Sequence, residues 1–240
     1  MPYKIITLGG GMVGSAIARD LQEAKHSVTV ADIDEGIQGH LASFGIDYVK
    51  LDFSDLNSIA KCVENYDLVV GAVPGFMGYK ILRTVLKSQK NIVDISFMHE
   101  DSRKLHSIAQ INEVTAITDA GIAPGLSNLM FGRVFSEFDS VDSAKCFVGG
   151  LPQNPRLPWL YKSVFSPIDV VEEYTRPARQ VENGKIITKR AMTEIEPIEF
   201  KKVGVLDAFN SDGLRSLLDM PIPNMVEKTL RFPGHIQKII

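Results

Sequence analysis

The segment Gly9-Gly10-Gly11-Met12-Val13-Gly14 constrains this chain more than any other, because it follows a short β-branched run (residues 4–8) and opens a helical pattern. In a strand, loop and helix unit the glycine at 9 permits a tight turn. The glycine at 11 lets a diphosphate approach the backbone, and the one at 14 lets helix pack on strand. Ile17, Leu21 and Ala24 then recur at helical spacing, and residues 27–31 read as a second strand followed by Asp32. A carboxylate at that point accepts hydrogen bonds from a ribose 2′-hydroxyl and repels a 2′-phosphate, which predicts NAD as the cofactor with NADP less suited. A glycine loop alone is weak evidence. Strand, loop, helix, strand and acid in this order make the reading specific. Asp34 is a competing acid, read as a solvated loop residue.

Further strands are expected at 47–50, 68–73, 91–95 and 115–118, with Ile81, Leu82, Val85 and Leu86 marking a helix before the fifth. Six strands with intervening helices give a doubly wound, Rossmann-type parallel sheet over residues 1–138, ending in a helix that runs from Pro124-Gly125 to Phe138. Residues 139–240 change character and form a second, antiparallel-rich α+β domain. There Asn183-Gly184 sits between apolar runs as a hairpin turn, and Ser166-Pro167 reads as an N-cap with proline at the first helical position.

Composition excludes several classes of function. A formal charge of −3 with no basic clustering argues against a nucleic-acid partner. Cys62 and Cys146 form no metal or disulfide pattern, and no His, Asp or Glu cluster has metal spacing, so no metal is expected. No apolar run is long enough for a membrane span and no basic leader precedes the first strand, so a cytoplasmic, non-membrane protein is expected. Neither a Gly-x-Ser-x-Gly elbow nor a Tyr-x-x-x-Lys helix is present, which disfavours a serine hydrolase and a short-chain reductase.

Within the first domain, Gly9, Gly11, Met12, Val13, Gly14 and Asp32 are the expected cofactor-binding residues. Val73 and Pro74, after the fourth strand, are expected to wall the nicotinamide side with backbone. Asp52, after the third strand, is expected near the adenine or as an N-cap for a helix starting near Leu56.

Seven spaced motifs carry a family likeness: Val-Pro-Gly-Phe-Met-Gly (73–78), Asp-Ile-Ser-Phe-Met (94–98), Asp-Ala-Gly-Ile-Ala-Pro-Gly-Leu-Ser-Asn (119–128), Gly-Gly-Leu-Pro (149–152), Glu-Tyr-Thr-Arg-Pro-Ala-Arg (173–179), Ser-Asp-Gly-Leu-Arg-Ser (211–216) and Pro-Gly-His (233–235). Together they resemble the saccharopine dehydrogenase-like family, and within it most nearly the lysine 6-dehydrogenase branch. The resemblance implies a saccharopine-reductase-like second domain and NAD(P)-dependent oxidation of an amine-bearing carbon of a small amino-acid substrate. In the lysine branch this is oxidation of lysine at C6 to allysine with release of ammonia. Saccharopine reductases are expected to carry Tyr, Asp and Cys where this chain has Phe97, Ala123 and Val148, which points away from saccharopine as substrate. The last residues read as a strand end, a turn and a first helical turn. Against the family this suggests a chain shortened at its C-terminus, with apolar surface that would favour homo-oligomers, dimer or higher. The alternative is a non-catalytic NAD-binding or oligomerisation module of the same family.

An amine can lose hydride only with its lone pair free, and deprotonating an ammonium of pKa ~10.4 at pH 7 costs about 4–5 kcal/mol. A base or a desolvating site is therefore required. Asp119, after the sixth strand, is the candidate amine-binding carboxylate and base. Asp94 and Ser96 are candidates for holding the nicotinamide end or a water, with Asp94 and His99 also candidates for proton transfer. A substrate carboxylate calls for the planar fork of arginine, and Arg176 and Arg215, with Tyr174 nearby, are the expected ligands. Arg179 and His235 also lie within these motifs.

Overall fold

The β-branched run Lys4–Leu8 (β1) forms the centre of the first of two compact units, residues 1–120 and 121–240, seen in a computed structural model that describes residues 2–240. Along the first unit follow α1 (Met12–Glu23), β2 (Ser27–Asp32), α2 (Gln38–Ala42), β3 (Asp47–Lys50), α3 (Leu56–Val63), β4 (Leu68–Gly71), α4 (Gly75–Lys87), β5 (Asn91–Asp94), α5 (His106–Ile111) and β6 (Ala116–Ile117). All strands pair in parallel in the order β3-β2-β1-β4-β5-β6, so the order reverses between β1 and β4, where a doubly wound sheet opens its ligand crevice.

Strand alternation sends side chains to two faces. Val28 and Val30 join Ala18 and Leu41 in one apolar cluster, while Ile6, Leu8, Val69 and Ile92 join Ile81, Val85 and Leu86 in another. Each such fully buried aliphatic side chain contributes about 1.5–3 kcal/mol, so the two clusters hold the strand ends in place. β2 extends one residue beyond the expected strand, to Asp32, whereas β4 and β5 stop at Gly71 and Asp94. Val73 and Pro74 therefore lie in the turn before α4, with Pro74 its N-cap. Asp55, not Asp52, caps α3, accepting from the amides of Asn57 and Ser58 at 3.0 and 3.2 Å. Asp52 closes its own local turn onto the Ser54 amide at 2.8 Å.

The second unit comprises α6 (Leu126–Glu137), β7 (Ala144–Val148), α7 (Pro167–Thr175), β8 (Ala178–Glu182), β9 (Lys185–Lys189), β10 (Glu196–Phe200), β11 (Gly204–Asn210), β12 (Met225–Arg231) and α8 (Ile236–Ile239). Its strands run in the order β10-β11-β12-β8-β9 with antiparallel neighbours, and β7 adds to β12 in parallel. The division falls after Ala120 rather than at 138 because α6 belongs to this unit. Its Phe131 and Phe135 pack with Val181, Leu214, Leu217, Ile222 and Met225. Pro167 does occupy the start of α7, but the Ser166 side chain makes no capping bond.

The β8–β9 hairpin turns on Asn183 (φ 50°) and Gly184 (φ 75°), two successive left-handed residues that match strand twist. Gly184→Ala keeps the sequence pattern but strains that turn, and is expected to cost on the order of 1 kcal/mol in urea unfolding.

Candidate active site

The glycine loop is closed by backbone contacts that leave no room for a side chain. Gly9 has φ 103°, and a Cβ there would collide with the Ala72 carbonyl oxygen. A Cβ on Gly14 would strike the Gly9 carbonyl. Gly11 differs: a Cβ on it would meet nothing within 4 Å, and as N-cap of α1 it makes no side-chain capping bond. The first turn of α1, with Met12 and Val13, thus presents amides to open space with no acidic residue among them. Aligned amides at a helix start favour a phosphate, so these residues fit a dinucleotide's diphosphate.

Asp32 terminates β2 beside this loop. Its Oδ2 accepts the Gly10 amide at 2.6 Å and its Oδ1 the Asp34 amide at 3.0 Å. Asp34 in turn caps a short 3-10 turn, accepting from the Gly36 amide at 2.8 Å. Nearby Glu35 pairs with Lys50, so the strand end carries an acidic cluster whose adjoining lysine is already engaged.

At the same carboxyl edge of the sheet, Asp94 ends β5 completely enclosed. Gly71 on the paired strand makes this possible, since any Cβ there would overlap the Asp94 carboxyl group. Oδ1 of Asp94 accepts the Ser96 amide at 2.8 Å, while Oδ2 and the Ser96 Oγ have no hydrogen-bond partner among the described residues. Burial, with a further contribution from the Asp119 charge, pushes the Asp94 carboxyl up to about 7. Asp119 is 8% exposed and sits in a left-handed backbone conformation (φ 55°), which aspartate tolerates better than most residues. The next amide, of Ala120, donates to the Asp94 carbonyl at 3.1 Å and ties the two acids together.

Of the other expected residues in this unit, Val73 turns its side chain into the apolar cluster, leaving only backbone for a ligand. Pro74 is half-buried at the start of α4, and Asp52 is exposed. His99 is exposed as well, in contrast to the enclosed Asp94 earlier in the same segment.

In the second unit, Arg176 ends α7 and Arg215 opens a 3-10 turn in left-handed backbone (φ 51°). They are 7% and 6% exposed. Burial lowers the Arg176 pKa, and the nearby Arg215 charge lowers it further, so the two guanidinium groups lie close enough to repel. Arg176 also bonds Glu172 at 3.1 Å. Arg179 is a bidentate partner of Asp212, with bonds of 2.9 and 2.7 Å, which anchors the segment carrying Arg215. Asn128 of α6 reaches the same segment through Ser216 Oγ at 2.9 Å.

Tyr174 is engaged in a network that the sequence did not reveal. Arg231 Nε donates to its hydroxyl oxygen at 2.8 Å, and His235 Nε2 lies 2.9 Å away. Burial raises the Tyr174 phenol to about 12. Arg231 NH2 reaches Glu173 at 2.8 Å, and Glu173 also accepts from Thr229 at 2.6 Å. Glu227, Thr229 and Arg231 alternate along β12, a pattern that reads as a solvated strand face, yet all three are buried. Among the described residues no cluster of three metal-binding side chains occurs, and no helix is long and apolar enough to cross a membrane.

A Rossmann-type sheet with a bare glycine loop, in a chain whose second sheet unit is rich in buried arginine, defines a dinucleotide-binding class of fold. Comparison with known proteins narrows this: residues 5–117 match the saccharopine dehydrogenase NADP binding domain and residues 121–240 the saccharopine dehydrogenase C-terminal domain. The chain belongs to the saccharopine dehydrogenase family. It is 26% identical over 167 residues to alpha-aminoadipic semialdehyde synthase of Arabidopsis thaliana, covering 67% of this chain and 15% of that protein. It is 22% identical to the NADP(+), L-glutamate-forming saccharopine dehydrogenase of Pyricularia oryzae, over 98% of this chain and 56% of that one. The apo saccharopine dehydrogenase (L-Glu forming) of Saccharomyces cerevisiae shares the fold with a TM-score of 0.79 at 21% identity, over 98% of this chain and 56% of that chain. The chain thus spans little more than half, and in the synthases about a quarter or less, of the length of these relatives.

Asp94 has a folded pKa near 7 against an ordinary value of 3.8, so the fold favours its protonated form. The stability this contributes is complete below the ordinary value and is lost as pH rises through 7. Asp94→Asn, which keeps the neutral shape, is expected to flatten the fall in melting temperature that the unaltered protein shows over that interval.

Proposed function

We propose that this protein is an NAD-dependent oxidoreductase acting on the CH–NH2 or CH–NH group of an amino acid, with L-lysine, oxidised at C6 to allysine with release of ammonia, as the favoured substrate. The observation that carries the reading is the buried pair of acids, Asp94 and Asp119, at the carboxyl edge of a sheet whose glycine loop suits a dinucleotide. The dinucleotide, when bound, supplies the hydride acceptor. The protein's own task is to accept the ammonium proton and orient the amine.

Asp119, the less enclosed of the two, is the proposed amine ligand and base. Asp94 lies wholly inside and is proposed to act through Asp119 as a positioning acid, in place of the expected direct hold on the nicotinamide end or a water. A carboxyl that titrates near neutrality beside the base lets the pair hold one proton or none with little penalty at working pH, as general base catalysis requires. Ser96, with its buried hydroxyl, is proposed to hold the nicotinamide end or a water for imine hydrolysis. An amino acid also has a carboxylate, and Arg176 and Arg215, which lie near each other in the second unit, are its proposed ligands. Tyr174 is better explained as a support for this segment than as a substrate contact, because Arg231 and His235 already occupy its hydroxyl. His99, exposed, is given no role.

The preference for NAD rests on Asp32, which with Asp34 and Glu35 would repel a 2′-phosphate. The matching family model is described as NADP binding, so both coenzymes belong in the test. The preference for lysine over saccharopine rests on Phe97, Ala123 and Val148 standing where saccharopine reductases are expected to carry Tyr, Asp and Cys.

Formation of reduced nicotinamide, followed by absorbance with lysine, ornithine and saccharopine, tests the function. Turnover of lysine is the expected result. Tight coenzyme binding without turnover of any amine would replace it with the non-catalytic module, and no binding of either coenzyme would remove both. Asp119→Asn is expected to lower kcat by about 10²–10⁴-fold, the usual contribution of a general base, without changing coenzyme affinity. Asp32→Ala is expected to weaken NAD binding in calorimetry while narrowing the gap to NADP.

A further inference from the structure

The polar face of β12 contains more hydroxyl and carboxyl oxygens in contact than it has protons if every acid is ionised. Thr229 has one hydroxyl proton, and at 2.6 Å from Glu173 Oε1 it donates to that carboxylate. The other oxygen of Glu173, Oε2, accepts from Arg231 at 2.8 Å, so both oxygens of this carboxyl group act as acceptors. The contact of 2.8 Å between Ser211 Oγ and Thr229 Oγ1 is therefore a hydrogen bond only with Ser211 as donor. That uses the single proton of Ser211. Its other contact, 2.7 Å to Glu227 Oε2, then needs a proton on Glu227. An ionised Glu227 would draw the Ser211 proton to itself and leave the serine and threonine oxygens touching with none between them.

We propose that Glu227 is a neutral carboxylic acid that positions the arginine pair, donating through Ser211 and Thr229 to Glu173 and so fixing the 211–216 segment against the end of α7. The direction of the chain is set by groups that can only accept. Beyond Arg231 it is equally determined: the Trp159 carbonyl, 2.6 Å from His235 Nδ1, requires the proton there, which leaves Nε2 to accept from Tyr174. Each carrier of an arginine is gripped by this one strand. Glu227 holds Ser211 and also accepts the Gly213 amide at 3.0 Å, two residues before Arg215. Thr229 and Arg231 hold Glu173 and Tyr174, on the last turn before Arg176.

The surroundings agree with a neutral acid. Glu173 from α7, Asp212 from the 211–216 segment and the Cys146 thiol from β7 all face Glu227, and no cation pairs with it directly among the described contacts. Burial, the largest cause, and those neighbouring acids push it up to about 8. Gly213 is required at its position because a Cβ there would overlap the Glu227 carboxyl group.

The inference rests on the proposed role of Arg176 and Arg215 for its consequence, but not for its chemistry, and the experiment separates the two. Infrared difference spectra at neutral pH between the unaltered protein and Glu227→Gln should show loss of one protonated carboxyl band; loss of an ionised carboxylate band instead would overturn the proposal. Glu227→Gln, whose amide can donate to Ser211 although its NH2 cannot also accept the Gly213 amide that bonds the same atom in the unaltered protein, should move the Arg215 guanidinium signal in NMR spectra and the KM for the amino acid far less than Glu227→Leu does. Glu227→Leu should shift that signal and raise KM about tenfold, the loss of roughly one hydrogen bond to a buried site, with coenzyme affinity and kcat unchanged. An equal response to both variants would reduce Glu227 to a packing residue. Should the unaltered protein turn over no amine, the functional reading above falls, while the infrared band and the Arg215 signal still decide this one.

Discussion

Three stretches of backbone meet at the first glycine loop with no side chain between them: Gly9 against the Ala72 carbonyl, and Gly14 of α1 against the Gly9 carbonyl. This contact brings α1 down onto the point where the strand order of the sheet reverses. Its first-turn amides consequently open outward, and the ends of β2, β4 and β5 gather at one edge. Asp32, the turn before α4, and the pair Asp94 and Asp119 all owe their place at that edge to the same parallel register. A methyl group at 9 or 14 would prise the helix from the sheet before it affected any ligand.

Burial of carboxyl groups serves different ends in the two units. Asp94 and Glu227 are both driven upward by desolvation, to about 7 and about 8. With Glu227 in the proposed neutral form, every proton around it has a place along the contacts that link Glu227, Ser211, Thr229 and Glu173. Around Asp94 the accounting is incomplete, with its Oδ2 and the Ser96 hydroxyl left open among the described residues. A closed network in a low-dielectric interior stiffens what it connects, whereas an open polar atom beside a second acid is available to chemistry. That contrast is why the first pair is read as reactive and the second acid as positioning.

Much of the fold was legible from local pattern. The glycine loop, Asp32 and the six parallel strands followed from period-two runs punctuated by helical spacing, and Asn183-Gly184 marked its hairpin because few residues accept two consecutive left-handed conformations. Legibility failed where long-range packing decides. Nothing local separates α6 from the helices of the first unit; Phe131 and Phe135 packing on Leu214 and Met225, with the Asn128–Ser216 bond, assigns it to the second. Asp52 and Asp55 both precede α3 as plausible caps, and the geometry of the turn chose Asp55.

The candidate site divides in the same way. Residue types drew attention to Asp94, Asp119, Arg176 and Arg215, because proton transfer and carboxylate recognition call for such groups, and the fold buries all four. That Asp94 is wholly enclosed while Asp119 is slightly exposed, and that the Tyr174 hydroxyl contacts Arg231 and His235, emerged only when segments distant in sequence were brought side by side. Glu227, Thr229 and Arg231 escaped notice because their alternation is what an exposed strand face also looks like. By itself, then, the sequence determined the glycine loop, the acid beside it and the alternation of short strands and helices that makes the first sheet parallel, since each is written in patterns within one strand, loop and helix unit. The tertiary structure alone decided which polar groups are deprived of water, because desolvation arises from elements packed together across the chain.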